Sequence, residues 1–423
     1  MASIIITLGI FVLTLFLILV KPKGLPEAWA TIIGAALMLL TQRETIAQAL
    51  QITAQGADVL LFLLALMLLS DLLDRSGFFE WAAIWAARWA AGNGKLLYRN
   101  VFILGAIITA FLSLDTTAII LTPIVLSFVK RLKLPALPFL MACAFIANTG
   151  SLLLPVSNLT NLLFQGPLKF SFAAFALRMF LPQIAVIFLN YHLFKWYFRK
   201  NLPEKFNVLN LPEPKSVIKD LLYFKGAIVV LASVTIGYFI GALIGIAPYI
   251  IALTGAAALL IWSIYRKQIS KQVINGISWS LFPFIIGLFI VIQGVQNLGL
   301  TKYAAQGLMS LQHIPLSLQM LGATFGAGIG SNIINNIPMA LLSISVLNMA
   351  HSPELVQYAA LIGCNIGPNL TVAGSLATML VISSARQKGI NMSAYDFFRV
   401  GLWATPLLLI TAVTILYLTS FLF

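Results

Sequence analysis

Residues 148–161 read Asn-Thr-Gly-Ser-Leu-Leu-Leu-Pro-Val-Ser-Asn-Leu-Thr-Asn and interrupt an otherwise apolar stretch running from 139 to 163. A second apolar stretch, 355–381, is interrupted in the same manner by Asn-Ile-Gly-Pro-Asn-Leu-Thr-Val-Ala-Gly-Ser at 365–375. Each is preceded by a shorter interruption: Ser-Leu-Asp-Thr-Thr at 113–117 within 104–128, and residues 331–338 within 318–346. Unwound backbone at membrane depth survives only where it lines a cavity or is buried in protein. Matching breaks in the two halves of a chain therefore mark the binding site of a transporter.

Composition requires a membrane around these breaks. Of 423 residues, 60% are hydrophobic and 9% charged, whereas soluble domains are about 25% charged. The surplus apolar surface must face lipid. Runs 4–20, 59–70, 102–112, 228–243, 282–292 and 402–418, taken with their flanks, reach across a hydrocarbon layer of about 30 Å at about 1.5 Å per residue. These runs are continuous rather than alternating, which predicts helices and excludes a barrel. The fold class is an all-α polytopic membrane protein of about a dozen segments. The first run has no basic residues before it and no small-residue cleavage site before Lys21, so it reads as a membrane helix rather than a signal peptide.

One stretch, 198–219, has the character of a linker, with Pro203, Pro212 and Pro214 among charges. It divides the chain into a first membrane repeat (1–197), a cytoplasmic linker (198–222) and a second repeat (223–423). Sliding the halves so that Asp115 meets Asn336 also brings Cys143 onto Cys364 and Asn148 onto Asn369. Let the ends of the first broken hairpin, near Arg99 and Lys130, face the cytoplasm, and those of the second, near His313 and His351, face outward. All 26 Lys and Arg residues except Arg43, Lys169, Arg178 and Lys302 then fall on the cytoplasmic side, Lys271 among them. This arrangement needs an odd number of crossings per half, so the repeats are inverted and both termini lie on the outer face of the inner membrane. The net charge of +14 reflects topology and a polybasic membrane surface rather than nucleic-acid binding.

Asp115 is the most informative single residue. A carboxylate between two apolar runs must pair, hydrate or take up a proton, and reversible protonation is what a proton carrier needs. The plainer alternative is that Asp115 caps the helix starting at Thr116. Thr116, Thr117, Asn148, Thr149, Ser157, Asn158, Asn161, Asn335, Asn336, Asn365, Asn369, Thr371 and Ser375 supply amides and hydroxyls around the four breaks. Such groups bind a neutral polar solute without a fixed countercharge, or else satisfy one another between helices. Asp58, Asp71 and Asp74 lie near helix ends, with Arg75 beside the latter two, and read as interfacial pairs. Residues 78–91, with Trp81, Trp85 and Trp89, form an interfacial amphipathic helix. Cys143 and Cys364 are possible soft-metal ligands but read as small packing residues. His192, His313 and His351 form no ligand cluster, and no hydrolase or phosphate-loop pattern occurs. The residues call for no cofactor and describe no enzyme.

Four segments resemble a known family: Asp115-Thr-Thr-Ala-Ile-Ile-Leu-Thr-Pro-Ile-Val, Leu154-Pro-Val-Ser-Asn-Leu-Thr-Asn161, Asn335-Asn-Ile-Pro338 and Gly363-Cys-Asn-Ile-Gly-Pro-Asn-Leu-Thr-Val-Ala-Gly-Ser-Leu-Ala-Thr378. They are similar, in order and spacing, to the signature segments of the arsenite efflux permeases, the arsenical pump membrane proteins of the ion transporter superfamily. The resemblance implies export of arsenite or antimonite as trivalent hydroxides, driven by protons or by a soluble arsenite-stimulated ATPase, through an elevator-like motion. Where family members usually carry Asn-Asp-Gly at the first hairpin tip, this chain reads Leu114-Asp115-Thr116. Two rivals stand beside this reading. One is a sodium/proton antiporter or another ion transporter of the same fold, with sodium held by carbonyls at the breaks. The other is a passive membrane subunit of a pump ATPase that docks on residues 195–225.

Overall fold

The computed structural model describes residues 2–208, 211–268 and 276–421. Lys271 and linker residues 209–210 lie outside the described residues. The first half comprises α1 (Ala2–Val20), α2 (Glu27–Leu40), α3 (Ile46–Gln55), α4 (Ala57–Arg75), α5 (Phe78–Arg88), α6 (Gly94–Phe111), α7 (Leu114–Thr116), α8 (Thr122–Arg131), α9 (Ala136–Thr149), α10 (Leu159–Gln165) and α11 (Phe172–Tyr197). The second comprises α12 (Leu221–Ile244), α13 (Pro248–Tyr265), α14 (Leu281–Asn297), α15 (Leu300–Ser310), α16 (Leu316–Ile334), α17 (Asn336–Met349), α18 (Glu354–Ile366), α19 (Leu376–Gln387) and α20 (Ala394–Thr419). The protein is all-helical. Among the described residues the one extended pairing is an isolated bridge between Asn93 and Lys205.

Among the described residues six helices, α1, α6, α11, α12, α13 and α20, are long and apolar enough to cross a membrane unaided. α3 and α4 form a bent pair with an angle of 52°. The helices α2, α9 and α17 are apolar but only 14 residues long. At about 1.5 Å per residue they reach roughly 20 Å, short of the ~30 Å apolar layer.

Among the described helices α2 lies on α14 and α13 on α4, while α16 packs on α18, α6 on α9 and α11 on α20. Close approach in an apolar solvent rests on small residues and backbone-directed hydrogen bonds. Gly363 of α18 shows why. A Cβ there would lie 2.3 Å from the Thr324 carbonyl oxygen on α16, while Thr324 Oγ1 donates to the Ala359 carbonyl at 2.9 Å. Helix starts follow local chemistry. Thr45 and Gln48 form a capping box on α3, Ser393 and Asp396 one on α20. Asp220 caps α12, accepting from the Leu222 and Tyr223 amides. The Tyr223 amide, with Arg266 at 2.7 Å, holds this carboxyl below the usual carboxylate range.

The linker lies against the first half rather than hanging free. The Gly94 amide donates to the Glu204 carbonyl at 3.1 Å and the Phe206 amide to the Gly92 carbonyl at 2.8 Å, and Arg88 Nη2 donates to the Pro212 carbonyl at 3.2 Å. A side chain at Gly94 would meet the Pro203 carbonyl at 2.1 Å, so glycine is what lets the strap lie down. Beneath it, α5 carries the expected aromatic row, with Trp81 against Trp85 and Trp85 against Trp89.

The breaks fall more narrowly than the sequence spacing predicts. In the first hairpin the chain turns at Leu112 and Ser113; α7 then begins at Leu114 and continues through a wider π-type turn, Thr117–Leu121, into α8. In the second hairpin Asn335 alone leaves the helical region, at φ 74. The returning arms differ in length. Pieces of 3, 5 and 10 residues stand in the first half where a single helix of 14 residues stands in the second. That four-residue difference means that one fixed slide of the halves does not hold through both arms.

Candidate functional site

The two discontinuous helices cross at a buried knot of amides. Asn148 Nδ2 donates to Asn369 Oδ1 at 2.8 Å and to Thr378 Oγ1 at 3.1 Å. Asn365 Nδ2 donates to Asn161 Oδ1 at 2.6 Å. The Asn148–Thr378 and Asn365–Asn161 bonds each run from one discontinuous helix to the other. Asn365 Oδ1 accepts from Asn158 Nδ2 at 2.9 Å and from Thr160 Oγ1. Asn161 also ties its own loop, donating to the Ser151 and Leu154 carbonyls. Asn148, Asn161, Asn365 and Asn369 are fully buried. None of these amides lines the cavities described below.

The remaining polar candidates divide between support and site. Thr149 donates to the Phe145 carbonyl and accepts from Asn190 Nδ2, while Gln183 bonds the Leu152 amide and the Thr149 carbonyl. Gln183 and Asn190, both on α11, were not legible as partners of the break, although two amides two turns apart in an apolar helix are a signal for one polar stripe. Ser157 Oγ donates to the Ala110 carbonyl at 2.6 Å. Thr117 shares a hydroxyl bond with Thr109 at 2.7 Å. At the second hairpin, Asn335 Nδ2 donates to the Ala373 carbonyl. Asn332, beside it, uses its whole amide: it donates to the Gly328 and Gly367 carbonyls and accepts from the Thr371 amide and hydroxyl. Asn148 Oδ1, Asn336 Oδ1 and Ser375 Oγ are buried acceptors with no hydrogen-bond partner.

Asp115 and Thr116 face a cavity of about 300 Å³ that they share with Ser70, Asp71 and Asp74 of α4 and with Ser113. The capping role belongs to Ser113, whose Oγ accepts from the Thr116 amide at 3.1 Å. The Asp115 carboxylate is therefore released from the helix start. It is half-buried, and among the described residues no cation pairs with it at salt-bridge distance. Asp71, by contrast, is held by Arg75 at 2.6 Å, as their one-turn spacing predicts. A larger cavity, about 670 Å³, opens near the other end of α4, where Asp58, Gln55, Gln165, Gln293 and Asn348 contribute polar groups to an apolar wall.

Cys143 and Cys364 are free and buried, and among the described residues no His, Cys, Asp and Glu cluster is arranged to hold a metal. Neither cysteine lines the two cavities. Replacing both with alanine is expected to leave transport intact and to cost about 1 kcal/mol of stability through small cavities. Transport and thermal unfolding of the purified double variant check this; a folded variant without transport makes the thiols ligands.

Two hairpins, two interrupted helices and cavities at opposite ends of one membrane-length helix define a polytopic membrane transport protein. Comparison with known proteins sharpens the class. The profile of the arsenical pump membrane protein family matches residues 6–419. An arsenical pump membrane protein of Escherichia coli is 35% identical over 412 residues, covering 95% of this chain and 96% of that one. One of Yersinia enterocolitica is 34% identical over 416 residues, with 95% and 96% covered. The chain belongs to the arsenical pump membrane protein family. Its fold is also that of the YdaH transporter of Alcanivorax borkumensis, at a TM-score of 0.56 and 16% identity over 88% of this chain and 87% of that one. The MtrF structure of Neisseria gonorrhoeae gives a TM-score of 0.51 at 14% identity, covering 84% and 80%.

Proposed function

We propose that the protein exports trivalent arsenic and antimony hydroxides across the inner membrane in exchange for protons, by alternating access between two inverted repeats. The observation that carries this reading is the Asp115 carboxylate, uncapped and, among the described residues, without a paired cation, on the wall of a cavity with several hydroxyls. Arsenous acid is neutral at cell pH and offers hydroxyls. The Ser and Thr hydroxyls beside Asp115, and the unpartnered acceptors Asn336 Oδ1 and Ser375 Oγ at the second hairpin and break, suit such a solute without a countercharge. The buried amide knot of Asn148, Asn158, Asn161, Asn365 and Asn369 is the frame that carries both hairpins as one body.

Coupling follows from one shared carboxylate. A proton taken up from outside neutralises Asp115 and permits the return of the empty carrier; its release inside restores the charge, and the carrier then crosses again only after substrate binds. Uptake of radiolabelled arsenite into everted membrane vesicles under an imposed pH gradient tests the reading. Uptake driven by a sodium gradient and not by a pH gradient would replace it with the sodium carrier of the same fold.

The orientation is tested separately, by an impermeant thiol reagent on variants that lack the native cysteines. A cysteine at Lys215, in the linker strap, is expected to label only from the cytoplasm, and one at His351, after α17, only from outside. Both positions are exposed. Reversed labelling would overturn the inverted-repeat reading.

A further inference from the structure

The first hairpin is held by a residue that lies outside it. Ser70 of α4 and Thr116 share a hydroxyl hydrogen bond of 2.8 Å, with Ser70 at 6% and Thr116 at 3% exposure. The same Thr116 hydroxyl lies 3.0 Å from Ser113 Oγ, and Ser113 Oγ in turn accepts from the Thr116 amide. Three hydroxyls thus form a chain from α4 to the helix cap, and Asp115 stands between the last two in sequence. α4 itself packs on α13. The chain of hydroxyls therefore links α4 to the turn that carries the carboxylate.

We propose that Ser70 is a positioning residue of the first hairpin: through Thr116 it keeps Ser113 on the helix cap, and so leaves the Asp115 carboxylate facing the cavity. The physical alternative for Asp115 is local. Aspartate and serine are comparably good helix caps, so once Ser113 lets go of the Thr116 amide the helix start can slip to Asp115, whose carboxylate then turns from the cavity to the amides of Thr117 and Ala118. The Ser70 hydroxyl biases that choice by one hydrogen bond, a bias of about fivefold in population. The charged groups on the same cavity are Asp71, paired to Arg75, and Asp74. The adjoining cavity, which shares Pro123 and Ile124 with it, adds Glu80, Arg131 and Lys388. These groups are unchanged by a substitution at Ser70.

This inference rests on Asp115 carrying the coupled proton, so its test includes a readout that needs no transported substrate. A hydrophobic carbodiimide converts an accessible protonated carboxyl to an N-acylurea, and mass spectrometry of the Asp115 peptide measures the yield. In Ser70→Ala, labelling of Asp115 is expected to fall, by up to about fivefold, and the pH optimum of arsenite efflux to move, with folded protein recovered at the normal level. Ser70→Thr, which keeps the hydroxyl, should restore both. Unchanged labelling in Ser70→Ala overturns the proposal, even if efflux falls, as does a Ser70→Thr variant no better than Ser70→Ala. Labelling that falls in a protein whose parent moves no arsenite supports the positioning role and removes the arsenite reading instead.

Discussion

Asp115→Asn is expected to stop pH-gradient-driven efflux, a fall of about 100-fold, while exchange of labelled for unlabelled substrate continues. Asparagine keeps the size and hydrogen bonding of the side chain and removes its proton, so the hairpin is fixed in the neutral form. Exchange requires only that the loaded carrier cross and return, and no net proton moves. Asp115→Glu retains the proton and should retain some coupling with a shifted pH optimum. Both activities are measurable in one vesicle preparation. The capping alternative predicts a different result. Because Ser113 already accepts from the Thr116 amide, an Asp115 without a coupling role would tolerate asparagine at little cost, and the variant would pump at the normal rate.

The second large effect belongs to Asn365. Its amide makes the bonds to Asn158, Thr160 and Asn161 that tie one discontinuous helix to the other. Between membrane helices such bonds average about 0.6 kcal/mol each, whereas polar groups left buried and unpartnered cost about 1–3 kcal/mol each. The second term dominates here, because the site is fully closed. Asn365→Leu preserves volume and strands its partners, so the expected destabilisation is about 3 kcal/mol, seen as a lower thermal midpoint in detergent. A variant that stays as stable as its parent but loses substrate affinity would assign Asn365 to the substrate instead of the frame.

The sequence is unusually open about its breaks. Polar runs such as 148–161 stand out because everything beside them is apolar, and Pro155, Gly367 and Pro368 within them announce that a helix cannot continue. What the breaks touch is less legible. Asn148 and Asn369 are 221 residues apart, and nothing local distinguishes an amide that will bond another amide from one that faces a cavity. Which residues of the two halves correspond is a separate matter. A simple slide of one half over the other assumes equal arms, and the π-type turn at Thr117–Leu121 with its flanking pieces makes the first arm longer. Ser70 was illegible altogether, since a lone serine in an apolar helix commonly bonds its own backbone. Only its 2.8 Å approach to Thr116 gives it a place in the site.

Purified protein in sealed liposomes, with no ATPase or nucleotide present, tests the central claim most directly. With the lumen made acidic relative to the bath, outward-facing and inward-facing molecules alike can exchange luminal protons for external arsenite, and labelled arsenite should accumulate inside until the pH gradient is collapsed by an ionophore. Equilibration without accumulation, or accumulation only when a soluble ATPase and ATP are supplied, would contradict proton-coupled export and leave this chain as the membrane subunit of a pump driven from outside it.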